Sequence, residues 1–162
     1  MADLYTAVVK PEITVDTSAY ADGDDIMGKV SVPVARSRGG AGFLTRLQLR
    51  SRTSISVTTF LHIFDRNPTG STFTKNSAMA LASADYDKLL KTYSILSSDW
   101  VAPKGVNLWY TVELVGPSAE LAVLAYSLAA VDSELYMALE ADGAITFGGS
   151  TYLGLIASSD ND

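Results

Sequence analysis

Residues 55–64 form a run in which both alternating sets are largely apolar, with Ile55, Val57, Leu61 and Ile63 on one side and Phe60, His62 and Phe64 on the other. A strand exposes successive side chains on opposite faces, so a run of this kind needs cover on both. It ends at Asn67-Pro68-Thr69-Gly70. The proline there presets φ and the glycine can take positive φ, which marks a turn. A helix start follows, with Ser83 placed to cap residues 84–91, Asp85 and Asp87 in its first turn and Lys88 and Lys91 in its last, as the helix dipole favours.

Period-two alternation recurs elsewhere. Val30, Val32 and Val34 alternate with Lys29, Ser31 and Pro33, and Leu47 and Leu49 alternate with Arg46, Gln48 and Arg50. Proline cannot donate a ladder hydrogen bond, so Pro33 places its strand at a sheet edge or beside a bulge. Further strands are expected over residues 108–115, 121–128, 134–140 and 151–156, with turns at Gly116-Pro117-Ser118 and Asp142-Gly143. Residues 119–141 are rich in alanine and leucine and would also suit a helix. The alternation of Leu135, Met137 and Leu139 with Glu134, Tyr136 and Glu140 favours strands.

The expected architecture is mainly β: one antiparallel, jelly-roll-like β-sandwich over residues 16–157 with one short helix near residues 84–91. An N-terminal arm (1–15) precedes it and a frayed acidic tail (158–162) follows. With 162 residues, 48% of them apolar, the chain has material for the core of one domain. It has no cysteine, so packing or assembly rather than disulfides must hold it together. Residues 1–15 lack the basic and long apolar regions of a signal peptide, and the longest apolar-rich stretch, 121–131, is shorter than the roughly 20 residues of a membrane span. The chain therefore reads as soluble.

The formal charge of −6 argues against general affinity for nucleic acid. Its distribution is uneven. All six arginines fall between positions 36 and 66 with Asp65 the only acid among them, which makes that segment +5 and the remainder −11. Arg46, Arg50 and Arg52 share one alternating face and need solvent or partners, so they mark either a solvated sheet face or a docking surface for an acidic partner. Trp109 is a candidate aromatic anchor, and Leu4, Tyr5, Val8 and Val9 could add the N-terminal arm to a neighbour as a strand.

Catalytic chemistry finds little support in the residues. His62 is the single histidine and sits between Leu61 and Ile63, where a structural role is the expectation. Asp22, Asp24 and Asp25 around Gly23 could hold a hard cation, but the EF-hand spacing is missing and a solvated turn is the preferred reading. The loop from Arg36 to Gly42 lacks the ending of a P-loop and reads as a flexible connection. No cofactor, metal or catalytic residue is expected.

The order of motifs resembles a family of tailed-bacteriophage virion proteins, head decoration or capsid-associated proteins encoded near the major capsid protein. The resemblance covers residues 18–157. It is carried by Tyr20-Ala21-Asp22-Gly23-Asp24, Met27-Gly28-Lys29-Val30, the Arg36 to Gly42 loop before Phe43-Leu44-Thr45-Arg46-Leu47, and the run from Phe64 to Thr74. Asn76-Ser77-Ala78, Ala84-Asp85-Tyr86-Asp87, Leu135-Tyr136 and Leu153-Gly154-Leu155 complete it. The first fifteen residues and the arginine content depart from the family pattern. The resemblance implies a β-sandwich virion component with no catalytic residues to carry over and does not by itself separate a decoration protein from another head or neck component. The preferred expectation is a decoration or cement protein, made in the host bacterial cytoplasm and located on the capsid surface of the virion. It would bind the major capsid protein and itself, with a trimer at threefold positions as the candidate arrangement, and neither nucleic acid nor membrane. A tail or neck component and a carbohydrate-binding adhesion module are the alternatives.

Overall fold

The computed structural model describes residues 5–9, 12–35, 38–102, 109–115, 124–128, 132–147 and 152–161. Its strands are β1 (Tyr5–Val9), β2 (Glu12–Thr14), β3 (Ala19–Tyr20), β4 (Val30–Pro33), β5 (Ala41–Ser51), β6 (Thr58–Phe64), β7 (Leu89–Ile95), β8 (Tyr110–Val115), β9 (Leu124–Ser127), β10 (Glu134–Asp142), β11 (Ile145–Thr146) and β12 (Tyr152–Asn161). Residues 119–141 thus resolve toward strands, in β9 and β10, over the part that is described. The turn at Gly116-Pro117-Ser118 lies outside the described residues.

Two antiparallel sheets form a mainly-β, sandwich-like fold. The first runs β1-β12-β5-β8, with β2 also pairing β12 and β9 also pairing β5; the second runs β4-β10-β6-β7; β11 and β3 make a small ribbon. Alternation explains which residues lie between the sheets. Leu44, Leu47, Leu49, Leu153 and Leu155 of the first sheet join Val32, Leu61, Ile63, Leu135, Met137 and Leu139 of the second in one buried cluster. Two bulges keep the faces in phase. Thr45 is the extra residue where β5 shifts against β12, and Leu114 is the extra residue where β8 shifts against β5. Across the core, the Tyr126 hydroxyl and the Ser159 hydroxyl both donate to the Val34 carbonyl, each at 2.8 Å, and so tie the first sheet to the end of β4.

Pro33 does sit on an edge strand, since β4 ends the second sheet. β6 lies inside the same sheet between β10 and β7, and His62 and Phe64 on its outer side are buried as its two-sided apolar pattern requires. The expected arm and tail behave differently from the expectation. β1 and β2 pair with β12 of the same chain, and β12 continues to Asn161, with Ser159 fully buried. Each terminus supplies the other's ladder partners, so neither is loose over these residues. Leu4 lies outside the described residues, and Tyr5, Val8 and Val9 contribute backbone to β1.

The cover over the outer side of β6 comes from residues 65–88. Phe73 packs edge-on against Phe64 at 5.8 Å, and Asn76 turns the chain with φ of 56°, a conformation asparagine tolerates better than most side chains. The expected helix near 84–91 is a 3-10 helix, Ser83–Lys88, and Ser83 does not cap it. Leu89, Leu90 and Lys91 belong to β7, because pairing with β6 outweighs local helix propensity there. The buried Asp85 carboxylate organises this segment. It accepts from Lys88 Nζ at 2.6 Å and from Ser71 Oγ at 2.7 Å, while Lys88 also donates to the Asn67 carbonyl at 3.2 Å. Gly70 is needed for close approach rather than for positive φ, since a Cβ there would lie 3.2 Å from Asp85 Oδ2.

Leu61 is fully buried at the centre of the second sheet. Truncation to alanine removes its contacts and leaves a cavity, so Leu61→Ala is expected to lower unfolding free energy by about 2–5 kcal/mol in urea titration. A loss under about 0.5 kcal/mol, the range typical of surface positions, would contradict its placement in the core.

Candidate functional site

β5 (Ala41–Ser51) carries core residues on its inner side, which leaves Phe43, Arg46, Gln48 and Arg50 on its outer side. Its neighbour β8 places Glu113 among them. Arg46 Nε lies 3.1 Å from Glu113 Oε1, Gln48 Nε2 donates to Glu113 Oε2 at 2.8 Å, and Arg50 Nε donates to Gln48 Oε1 at 2.8 Å. The carboxylate is therefore spent on Arg46 and Gln48. Among the described residues, no carboxylate makes an ion pair with Arg50.

Strand register extends this face sideways. Gly154 of β12, Arg50 of β5 and Thr111 of β8 lie in one row, and Val101 bonds to Thr111 through both backbone groups at 2.8 and 2.9 Å. Val101 is 63% exposed and Phe43, at the other end of β5, is 51% exposed. Two large exposed apolar side chains thus flank two arginines on one sheet face. The Arg46–Glu113 pair is 45% and 30% exposed and belongs to the class that contributes about 0–1 kcal/mol, so it can be exchanged for a partner's carboxylate at little cost.

The expected site residues divide accordingly. Arg46 and Arg50 come together on the outer face, whereas Arg52 lies just past β5 with its guanidinium 4.8 Å from the centre of the Trp109 ring. A cation over the ring face is a favourable contact and takes one of the two faces on which a sugar could stack. Phe43, Gln48, Val101 and Glu113 escaped the sequence reading. Glu113 carries a signal in retrospect, since it alternates with Val112 and Leu114 in an apolar strand. Phe43 and Val101 carry none, because their exposure follows from the fold.

The acidic turn at Asp22, Asp24 and Asp25 departs from the solvated turn expected. Asp22 is exposed, but Asp24 and Asp25 are buried. The turn extends the edge of the second sheet along β10: Ile26 donates its N–H to the Leu139 carbonyl at 2.7 Å and Ala141 donates to the Asp24 carbonyl at 2.9 Å. Asp24 Oδ2 accepts the Ala21 N–H, and Asp25 Oδ1 accepts those of Met27 and Gly28. These bonds make the carboxylates backbone acceptors, and among the described residues no cluster is arranged to hold a metal ion. His62 is buried on the outer side of β6, with one ring nitrogen 3.0 Å from Thr92 Oγ1 and the other 2.8 Å from Glu140 Oε2, a structural placement.

No known family model matches the chain, and no characterised protein matches its sequence.

Asp25 and Asp85 respond to pH in opposite senses. Burial, opposed by the Gly28 and Met27 amides and the charges of Lys75 and His62, pushes the Asp25 carboxyl up to about 6 from its ordinary value of 3.8. Its raised value adds stability that is fully present below 3.8 and lost as pH rises through about 6. The hydrogen bonds from Lys88 and then Ser71 hold Asp85 down to about 2, so its contribution is present above 3.8 and lost as pH falls through about 2. The combined contribution of these two groups is greatest near about pH 4. Asp25→Asn keeps an oxygen for the two amides and removes the charge. It is expected to raise unfolding free energy at neutral pH by on the order of 1–3 kcal/mol, with the difference vanishing near about pH 4. Denaturation across this pH range checks it, and a variant less stable than the parent at neutral pH would contradict the buried unpaired charge.

Proposed function

We propose that the protein is a bacteriophage virion structural protein, a decoration or cement protein that binds the major capsid protein lattice and stabilises the head as a homo-oligomer. The ordered motifs from Tyr20 to Leu155 that resemble the decoration family carry the assignment to the virion. The outer face of the first sheet supports a docking role. There Phe43 and Val101 offer apolar contact, and Arg46 and Arg50 offer charge-assisted hydrogen bonds to an acidic surface.

Weak single contacts suffice for such a role. A lattice of identical sites bound by an oligomer turns each further contact into an intramolecular one, with gains of about 10²–10⁴ in avidity when the geometry permits. Exposed cation–carboxylate contacts are screened by salt, so docking through this face falls as ionic strength rises.

Purified protein mixed with undecorated phage heads and pelleted tests the reading. Saturable binding is expected at a copy number commensurate with the shell lattice. Charge reversal by Arg46→Glu with Arg50→Glu is expected to reduce it at least tenfold, by about 1.4 kcal/mol or more, while melting changes little because both side chains lie outside the core. No binding to heads would move the protein to the neck, the tail or the adhesion reading.

A further inference from the structure

A second surface lies away from the arginine face, where the edges of the two sheets meet. An open groove of ≈ 620 Å³ runs between β2 and the start of β4, over Ile13, Met27, Val30 and Phe73, with Lys29 and Lys75 at its sides. Val34 donates its N–H to the Ser133 carbonyl, and the register pairs Val32 with Leu135 and Val30 with Met137. Hydrogen-bonding direction alternates along an antiparallel strand, so the backbone of Val32 and Val30 turns toward β10 and that of Ser31 turns outward, into the groove. Pro33 fits the same outward phase, where its missing N–H deprives no ladder of a donor.

Further along this edge the chain covers itself. Asp25 donates its N–H to the Ser77 carbonyl at 2.9 Å, and Asn76 donates to the Asp25 carbonyl at 2.9 Å. The covering segment stops at Lys75. β1 approaches β4, yet among the described residues the only strand that pairs with β4 is β10. A groove of mixed polar and apolar lining, an outward-facing strand edge and a preceding segment that already shows the pairing mode together make a site for strand addition.

The two lysines define what can enter. Lys29 Nζ donates to the Asn67 side-chain oxygen at 2.7 Å and lies 5.9 Å from the ring centres of both Phe73 and Tyr136. Lys75 Nζ donates to the Thr14 carbonyl at 2.6 Å. Both acceptors are neutral, and among the described residues neither ammonium forms an ion pair with a carboxylate. On a chain of net charge −6, two cations at one groove select a carboxylate-bearing occupant.

We propose that this groove binds an extended, acidic peptide segment of a partner protein, which adds to the outer edge of β4 at Ser31 and places carboxylates against Lys29 and Lys75. The site is separate from the arginine face, so it stands or falls independently of the capsid reading.

The test is amide NMR of the whole chain titrated with a synthetic peptide in which valine alternates with glutamate, beside a control with lysine in place of glutamate. The glutamate peptide is expected to shift the amides of residues 27–31 and 75 in a saturable manner. Lys29→Glu is expected to weaken binding several-fold. Ser31→Pro, which keeps both lysines and removes the outward N–H, is expected to weaken it as well while leaving the remaining spectrum folded. Absence of shifts, equal shifts with the lysine peptide, or shifts confined to the Arg46 and Arg50 face would overturn the proposal. So would self-association without peptide that perturbs residues 27–31, because the occupant would then be a second copy.

Discussion

β12 lies between β5 on one side and β1 and β2 on the other, and both the core and the arginine face depend on that pairing. Its inner residues Leu153, Leu155 and Ala157 are buried, and Ser159 reaches the Val34 carbonyl across the core. The sheet that carries the arginine face is thus closed by β12. Contacts of such large sequence separation carry a loop-closure cost that the buried strand must offset.

Charge is used in three ways, and the degree of burial decides among them. Asp85 is buried with Lys88 and Ser71 as partners, so it anchors the segment over β6. Asp25 is buried with one oxygen, Oδ2, lacking a hydrogen-bond partner among the described residues, and its ionisation opposes the fold at neutral pH. Arg46 and Arg50 stay near solvent, where pairing contributes little to stability and remains exchangeable. A surface that holds its cations loosely is suited to docking for the same reason that it adds little to the fold.

Much of the architecture was legible because period-two alternation marks β5 from Arg46 to Arg50 and β10 from Glu134 to Met137, and the two-sided apolar run of β6 marks an inner strand. Pro33 announced an edge strand through chemistry that no tertiary context can alter. The readings that failed concern context. Ser83 and the residues after it have helix-start chemistry, yet Leu89–Ile95 pairs with β6, and an acid pair that looked solvated at Asp24 and Asp25 is covered by residues 75–79. Serines and aspartates at the C-terminus resembled a frayed tail because their backbone partners, β1 and β5, are remote in sequence. The proposed docking face was half visible. Arginines at 46 and 50 share a period, but the exposure of Phe43 and Val101 and the arrival of Glu113 depend on which strands become neighbours.

The central claim is that the outer face of the first sheet is the surface that meets the capsid. A cryo-electron microscopy map of saturated heads, at a resolution that shows side chains, tests it most directly. The account predicts Phe43, Arg46, Arg50 and Val101 in contact with capsid protein, with an acidic side chain opposite the arginines. A decorated particle in which that face points to solvent would contradict it.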